Sequence, residues 1–252
     1  MTGILSHIFR HPIKAIGAEA INSASLTEGR ALPLDRVWAV LHERSKIELR
    51  EGRADWAQKL NFVVGVSAPA LMAVTLETRG EAFCLSHPTK DPLVFSPQNA
   101  EDHARFLAWL DDLWPAHRPR PTGLVAAIDQ PLTDQKTPVL SLIGTGSLGD
   151  LSQAAGTTLD MRRFRANLWV SGWGAMAEQE LVEKRLRLGE AELEVVEPVG
   201  RCRATDGNPE TGARDQDLLK LLKDRYGHTN FGIFVRVTKP GQIATGSKIE
   251  VI

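Results

Sequence analysis

Cysteine is nearly absent from this 252-residue chain: Cys84 and Cys202 stand alone, far apart. They imply no disulfide framework and fit free thiols of a reducing compartment. Charge of one sign is absent too. Thirty Lys and Arg balance 31 Asp and Glu, a formal net charge of -1, so the chain lacks the basic excess that nucleic acid or an anionic membrane would recruit. No apolar run is long enough to span a bilayer. The longest, residues 62–76, is broken by Gly65, Ser67 and Pro69 and falls short of the ~20 residues a spanning helix needs. The first residues, Met1 to His7, lack the basic and apolar regions of a signal peptide, so a cytoplasmic address is expected.

Catalytic loop motifs are missing as well. There is no dinucleotide-binding Gly-x-Gly-x-x-Gly after a strand, no phosphate loop with its Lys, no Gly-x-Ser-x-Gly elbow and no His-Glu-x-x-His helix. The seven histidines are scattered. Only His7 and His11 share helical spacing, and Pro12 argues against a helix there, which sets a His-based metal site aside. No internal period recurs, so solenoids and propellers are excluded.

What is present describes a folded domain or pair of domains. Hydrophobic residues make up 42% and charged residues 24%, far from a disordered composition. Short segments rich in β-branched and aromatic residues, 37–42, 62–66, 73–78 and 82–85, read as antiparallel strands. Phe106, Leu107, Leu110, Leu113 and Trp114 recur at helical spacing, a stripe ended by Pro115. The proline-rich stretch 115–121 is the best linker, dividing the chain into 1–120 and 121–252.

In the second part Ser147 is expected to cap a short helix stopping near Gly156, and Asp215 another that carries Leu218, Leu219, Leu221 and Leu222 before Gly227. Strands are expected at 186–188, 193–196, 233–238 and 248–252. The fold class is α+β and β-rich, with a β-barrel-like second half. Residues Gly144 to Gly149 offer backbone N–H groups able to meet an anion at the helix start, but a plain N-cap is the commoner arrangement.

Cys202 lies between Arg201 and Arg203, after one strand and before the turn Asn208-Pro209-Glu210-Thr211-Gly212. Flanking cations favour the thiolate, the form that ligates metals and attacks electrophiles. Neighbours on a strand point to opposite faces, and an isolated cysteine is more often a small buried hydrophobe, so local sequence leaves both readings open. Cys84 has apolar neighbours and is expected in the core.

Several fragments together resemble the MOSC family, named for the C-terminal domain of molybdenum cofactor sulfurases, and in particular its two-part members with an N-terminal β-barrel domain, as in amidoxime-reducing proteins. They are His11-Pro12-Ile13-Lys14, Leu34-Asp35-Arg36-Val37-Trp38, Phe164-Arg165-Ala166-Asn167, Arg201-Cys202 with Asn208-Pro209-Glu210-Thr211-Gly212, Phe231-Gly232 and Pro240-Gly241. The resemblance runs over nearly the whole chain. Ala15, Ala166 and Asn208 depart from the family pattern.

The resemblance implies an N-terminal β-barrel domain over 1–120 and a MOSC β-barrel domain with short helices over 121–252. It implies a molybdenum cofactor, a molybdopterin whose metal is ligated by Cys202, the expected catalytic residue, as a soft donor. Lys14, Arg36 and Arg165 are implied as holders of the cofactor's phosphate and pterin, with Ser147, Asn167 and Arg201 as neighbours. The implied activity is oxidoreductase chemistry on a small N-hydroxylated substrate, with electrons from a separate electron-transfer protein. The alternative is a carrier of cofactor or of persulfide sulfur received from a cysteine desulfurase. No pyridoxal-phosphate lysine motif is apparent, and neither a nucleic acid nor a membrane partner is expected.

Overall fold

The computed structural model describes all 252 residues. Seven strands close a barrel. Beginning at Leu168–Ser171, the order runs through Leu140–Gly144, Asn230–Lys239, Ala191–Gly200, Arg185–Leu188 and Lys248–Val251 to Thr2–Arg10, which pairs back onto Leu168–Ser171. Closure leaves no unpaired edge. Period-2 alternation sends Leu5, Leu142, Leu193, Val235 and Ile249 into one dry interior of 20 buried apolar residues. The barrel's single parallel pair, Leu140–Gly144 beside Leu168–Ser171, requires a crossover. The helix Thr145–Ala155 makes it, and Gly156 ends that helix in the left-handed region.

The rest is smaller sheets. A three-stranded meander, Thr75–Arg79, Ala82–His87 and Lys90–Phe95, receives Phe106, Trp109 and Leu110 of the helix Ala100–Asp111 in a second apolar cluster. Trp38–His42 pairs with Pro121–Ala127. The sheets therefore cross the chain division at 120/121: the first strand completes the later barrel, and Pro121–Ala127 joins the earlier sheet. No helix is long and apolar enough to cross a membrane.

Several local expectations are corrected. Residues 62–66 form no strand; apart from one isolated bridge, Leu41 to Phe62, they run into a turn, in which the Ser67 amide donates to the Val64 carbonyl and that of Ala68 to Gly65. Gly144, not Ser147, caps the helix 145–155, and Asp217, not Asp215, caps Leu218–Tyr226. Cys84 is half-buried rather than core, since strand alternation sends Phe83 and Leu85 inward and leaves Cys84 on the opposite face.

Gly232 is required where the long strand 230–239 passes the barrel wall. Its φ is +81°, and a Cβ there would meet Ile143 Cγ1 at 2.5 Å and the Leu142 carbonyl at 2.7 Å. Gly232→Ala therefore combines backbone strain with overpacking. It is expected to lose about 3 kcal/mol of stability, read as a lower urea midpoint at unchanged m-value.

Candidate functional site

Where the barrel meets the smaller sheets a cavity of about 870 Å³ opens, a size suited to a cofactor or drug-sized ligand. Its wall carries eight Lys or Arg but only two Asp or Glu, although the chain as a whole is nearly neutral. An anion is therefore the favoured occupant.

Cys202 lines this cavity and is exposed. It follows the strand Ala191–Gly200 and starts the tight turn Arg203–Asp206, its carbonyl accepting from the Thr205 amide (3.2 Å) and hydroxyl (3.0 Å). The backbone is thus fixed while the thiol stays free. Arg203 does not share the site. Its guanidinium pairs with the buried Asp206 carboxylate at 2.9 Å and is largely exposed.

Arg201 serves the site indirectly. Nε and Nη2 donate to the Phe231 carbonyl (2.8 and 2.6 Å), Nη1 donates to that of Phe164 (2.7 Å), and the group sits over the Phe164 ring. It ties three segments around Cys202. Burial first, and the Arg36 charge against the opposing influence of Cys202, push its pKa down to about 9, so it remains a cation at neutral pH.

Lys14, Arg36 and Arg165 converge from three distant segments. Asp35 organises them: its buried carboxylate accepts from the His11 amide (2.8 Å), from His11 Nδ1 (3.3 Å) and from Arg36 Nη1. Arg36 Nη2 in turn donates to the Arg165 carbonyl (3.0 Å), and Arg165 Nη1 to that of Gly17 (2.8 Å). Both arginines adopt positive φ, +53° and +47°, a strain of roughly 1 kcal/mol each that the surrounding bonds hold in place. Burial and repulsion by Arg36, opposed by Asp35, lower Arg165 to about 9. Lys14 is buried and its pKa falls through desolvation first, offset by Asp134, whose carboxylate accepts from Nζ at 2.5 Å. Asp134 is itself largely exposed. Its carboxylate occupies the position on Lys14 that a ligand's phosphate would take.

The remaining expected site residues lie elsewhere or are spent. Asn167 lines the cavity, but its Oδ1 accepts from the Ser141 amide (3.0 Å) and its Nδ2 donates to the Phe9 carbonyl (3.2 Å), so it braces the barrel. Ser147 is corrected as a site residue. It is buried outside the cavity, donating to Glu178 Oε2 at 2.7 Å and accepting from the Met176 amide. The Glu178 carboxylate lies against Gly144 at the start of the helix 145–155, and burial raises its pKa. That helix start is already occupied by a carboxyl group of the chain itself.

Sequence reasoning missed Arg163. Buried in the cavity wall, it donates to the carbonyls of Thr205, Asp206 and Gly207 (3.4, 3.3 and 3.1 Å) and to Asp215 Oδ2 (2.7 Å). It thereby shapes the turn that carries Cys202. The adjacency of Arg163 to the 164–167 motif was the only signal.

His11 was set aside as a ligand and proves to be structural. Burial first, then Arg165 and Arg36, against the opposing Asp35, lower its pKa to about 3. The imidazole is neutral when folded, whereas an unfolded histidine protonates near pH 6.5. Between those values the unfolded chain binds the extra proton, so stability falls as pH drops. From pH 7 to 5 the loss expected from this residue is about 2 kcal/mol. Urea unfolding at both pH values checks it, and His11→Gln should remove that part of the slope.

No three His, Cys, Asp or Glu side chains converge as a metal-ligand cluster. A metal at Cys202 would draw its other donors from a cofactor, and the exposed soft thiol beside buried cations suits a sulfur-ligated metal whose cofactor carries a phosphate.

Fold and site define a two-part β protein with a free thiol at a cationic cleft. A MOSC domain model matches residues 129–250, and a MOSC N-terminal beta barrel domain model matches 2–115; the chain belongs to the MOSC family in its form with that N-terminal domain. It is similar to mitochondrial amidoxime-reducing component 1 of Mus musculus, 24% identical over 301 residues, covering 99% of this chain and 82% of the relative. The same protein of Danio rerio is 24% identical over 294 residues, covering 99% and 85%. A molybdenum cofactor sulfurase of Caenorhabditis briggsae is 35% identical over 95 residues, 36% of this chain and 13% of that one.

Proposed function

We propose that the chain is a molybdenum-cofactor-binding oxidoreductase that reduces N-hydroxylated small molecules with electrons from a separate donor protein. The observation that carries this reading is one exposed thiol, Cys202, on the wall of a cavity that buried Lys14 and half-buried Arg36 and Arg165 also line. The names of the relatives, an amidoxime-reducing component and a molybdenum cofactor sulfurase, support the cofactor and substrate class. The division into 1–120 and 121–252 is proposed on the same footing.

In this reading Cys202 presents its thiolate to the metal from a turn fixed by Thr205 and Arg163. Lys14, Arg36 and Arg165 would hold the cofactor phosphate, Lys14 in exchange for the exposed Asp134 carboxylate and the two arginines through planar donors that the Asp35 carboxylate and the Gly17 carbonyl orient. Arg201 holds the protein around the sulfur and contributes charge without contact. When bound, the cofactor supplies the two-electron chemistry that converts N–OH to N–H with release of water.

Protein produced in a host that makes the cofactor is expected to contain molybdenum and pterin in equal amounts and to reduce benzamidoxime with an artificial electron donor. Loaded but inert protein favours cofactor carriage, and a Cys202 persulfide formed with a desulfurase and cysteine favours sulfur carriage. Protein that never holds molybdenum or pterin ends the reading.

A further inference from the structure

The cavity carries a second set of cations that the cofactor reading leaves unused. Arg44, Lys59 and Arg118 line it from three segments: the turn after Trp38–His42, the start of the turn Lys59–Asn61, and the stretch after Pro115. All three are exposed, so they form its rim, while Lys14 lies buried in the same wall. None of their charged groups has an ion-pair or hydrogen-bond partner; the one polar contact of Arg44 is made by its backbone amide. Neighbouring cations are spent differently, Arg50 on Asp55 and Arg53 on the Ala127 carbonyl.

Isolated exposed cations are usually only solvated. These three share one concave wall, where field lines of one sign are focused. The two acids of that wall do not neutralise them: Asp134 is engaged by Lys14, and Glu197 accepts from Gln135 Nε2 at 3.1 Å. The Lys59 charge reaches Asp134, contributing to the lowered pKa of that carboxyl, so rim and interior are electrostatically continuous. Phe62, Val64 and Trp114 give the same cavity an apolar wall.

We propose that Arg44, Lys59 and Arg118 form a second oxyanion subsite, which holds the carboxylate or phosphate end of an otherwise apolar ligand whose other end lies beside Cys202. The proposal rests on the reading that the inner cations hold the cofactor. The oxyanion has two sources, the acidic tail of a small substrate or a nucleotide extension on the cofactor.

The experiment uses full-length protein from a cofactor-producing host, with 4-carbamoylbenzoate and its neutral isostere terephthalamide as probes, followed by tryptophan fluorescence. Wild type is expected to prefer the anion, less so as salt is raised. The Arg44→Gln, Lys59→Gln, Arg118→Gln triple variant should lose about tenfold of that preference, whereas Lys14→Gln keeps most of it. Circular dichroism checks the fold, and the three single variants give the same readout in smaller steps. In parallel, nucleotide released by acid is counted against pterin. Nucleotide present in wild type and missing from the triple variant assigns the subsite to the cofactor; none in either, with the anion preference lost, assigns it to substrate. A triple variant that keeps both the anion preference and the wild-type nucleotide content overturns the proposal. Failure of the cofactor reading shows separately, as protein without molybdenum or pterin, in which probe binding still reports on the rim.

Discussion

Cys202→Ser is expected to lose molybdenum almost completely, at least about tenfold in metal per chain, with no comparable loss of fold. Serine keeps the shape but replaces a soft, readily ionised sulfur by a hard hydroxyl that stays protonated at neutral pH, a poor ligand for such a centre. The thiol is exposed, and the turn is held through the Cys202 carbonyl, which the substitution leaves intact. Stability should therefore change by no more than about 0.5 kcal/mol. Pterin should be retained better than metal, because Lys14, Arg36 and Arg165 are untouched. Metal analysis and pterin fluorescence on the same sample test this. Wild-type molybdenum in the variant would remove Cys202 from the site.

Arg163→Ala is expected to be the most damaging substitution in the cavity wall. It removes a donor from three buried carbonyls and from the Asp215 carboxylate, leaving the Asp206 carbonyl only the Asp215 amide and Asp215 Oδ2 only Asn208 Nδ2. Leaving buried carbonyls short of a donor costs roughly 1–3 kcal/mol, a sizeable share of the roughly 5–15 kcal/mol of a typical domain, while the exposed Asp215 carboxylate is resolvated. Arg163→Lys restores the charge but not the planar fork, and should recover only part of the loss. The readout that separates positioning from plain stability is Cys202 alkylation by iodoacetamide under native conditions. Its rate should change in both variants as the turn 203–207 loosens, and remain at the wild-type value in Asn99→Ala, which weakens the cap of the helix Ala100–Asp111, away from that turn.

The helix readings that the structure matches came from local signals. The stripe from Phe106 to Trp114 and the Gly227 stop each lie within a few residues, and the structure has a helix at both places, although the first ends at Asp111, short of Leu113 and Trp114. Lys14, Arg36, Arg165 and Cys202 came from short motifs, and the structure lines one cavity with all four. Ser147 failed because its chemistry depends on Glu178, 31 residues on, and the caps failed because several Asp, Ser and Gly within one turn compete for the position.

By itself the sequence determined a β-rich two-part chain, its family resemblance, and the short list of residues able to meet a metal and a phosphate, because composition, turn chemistry and motifs are local properties. Only the tertiary structure decided that the strand Thr2–Arg10 closes the later barrel, and which cations keep donors free. Arg165 and Arg36 are committed by carbonyls and carboxylates, some of them more than a hundred residues away. Hydrogen-bond capacity is written in the residue type, but its allocation is fixed by which distant backbone groups the closed barrel brings within about 3 Å.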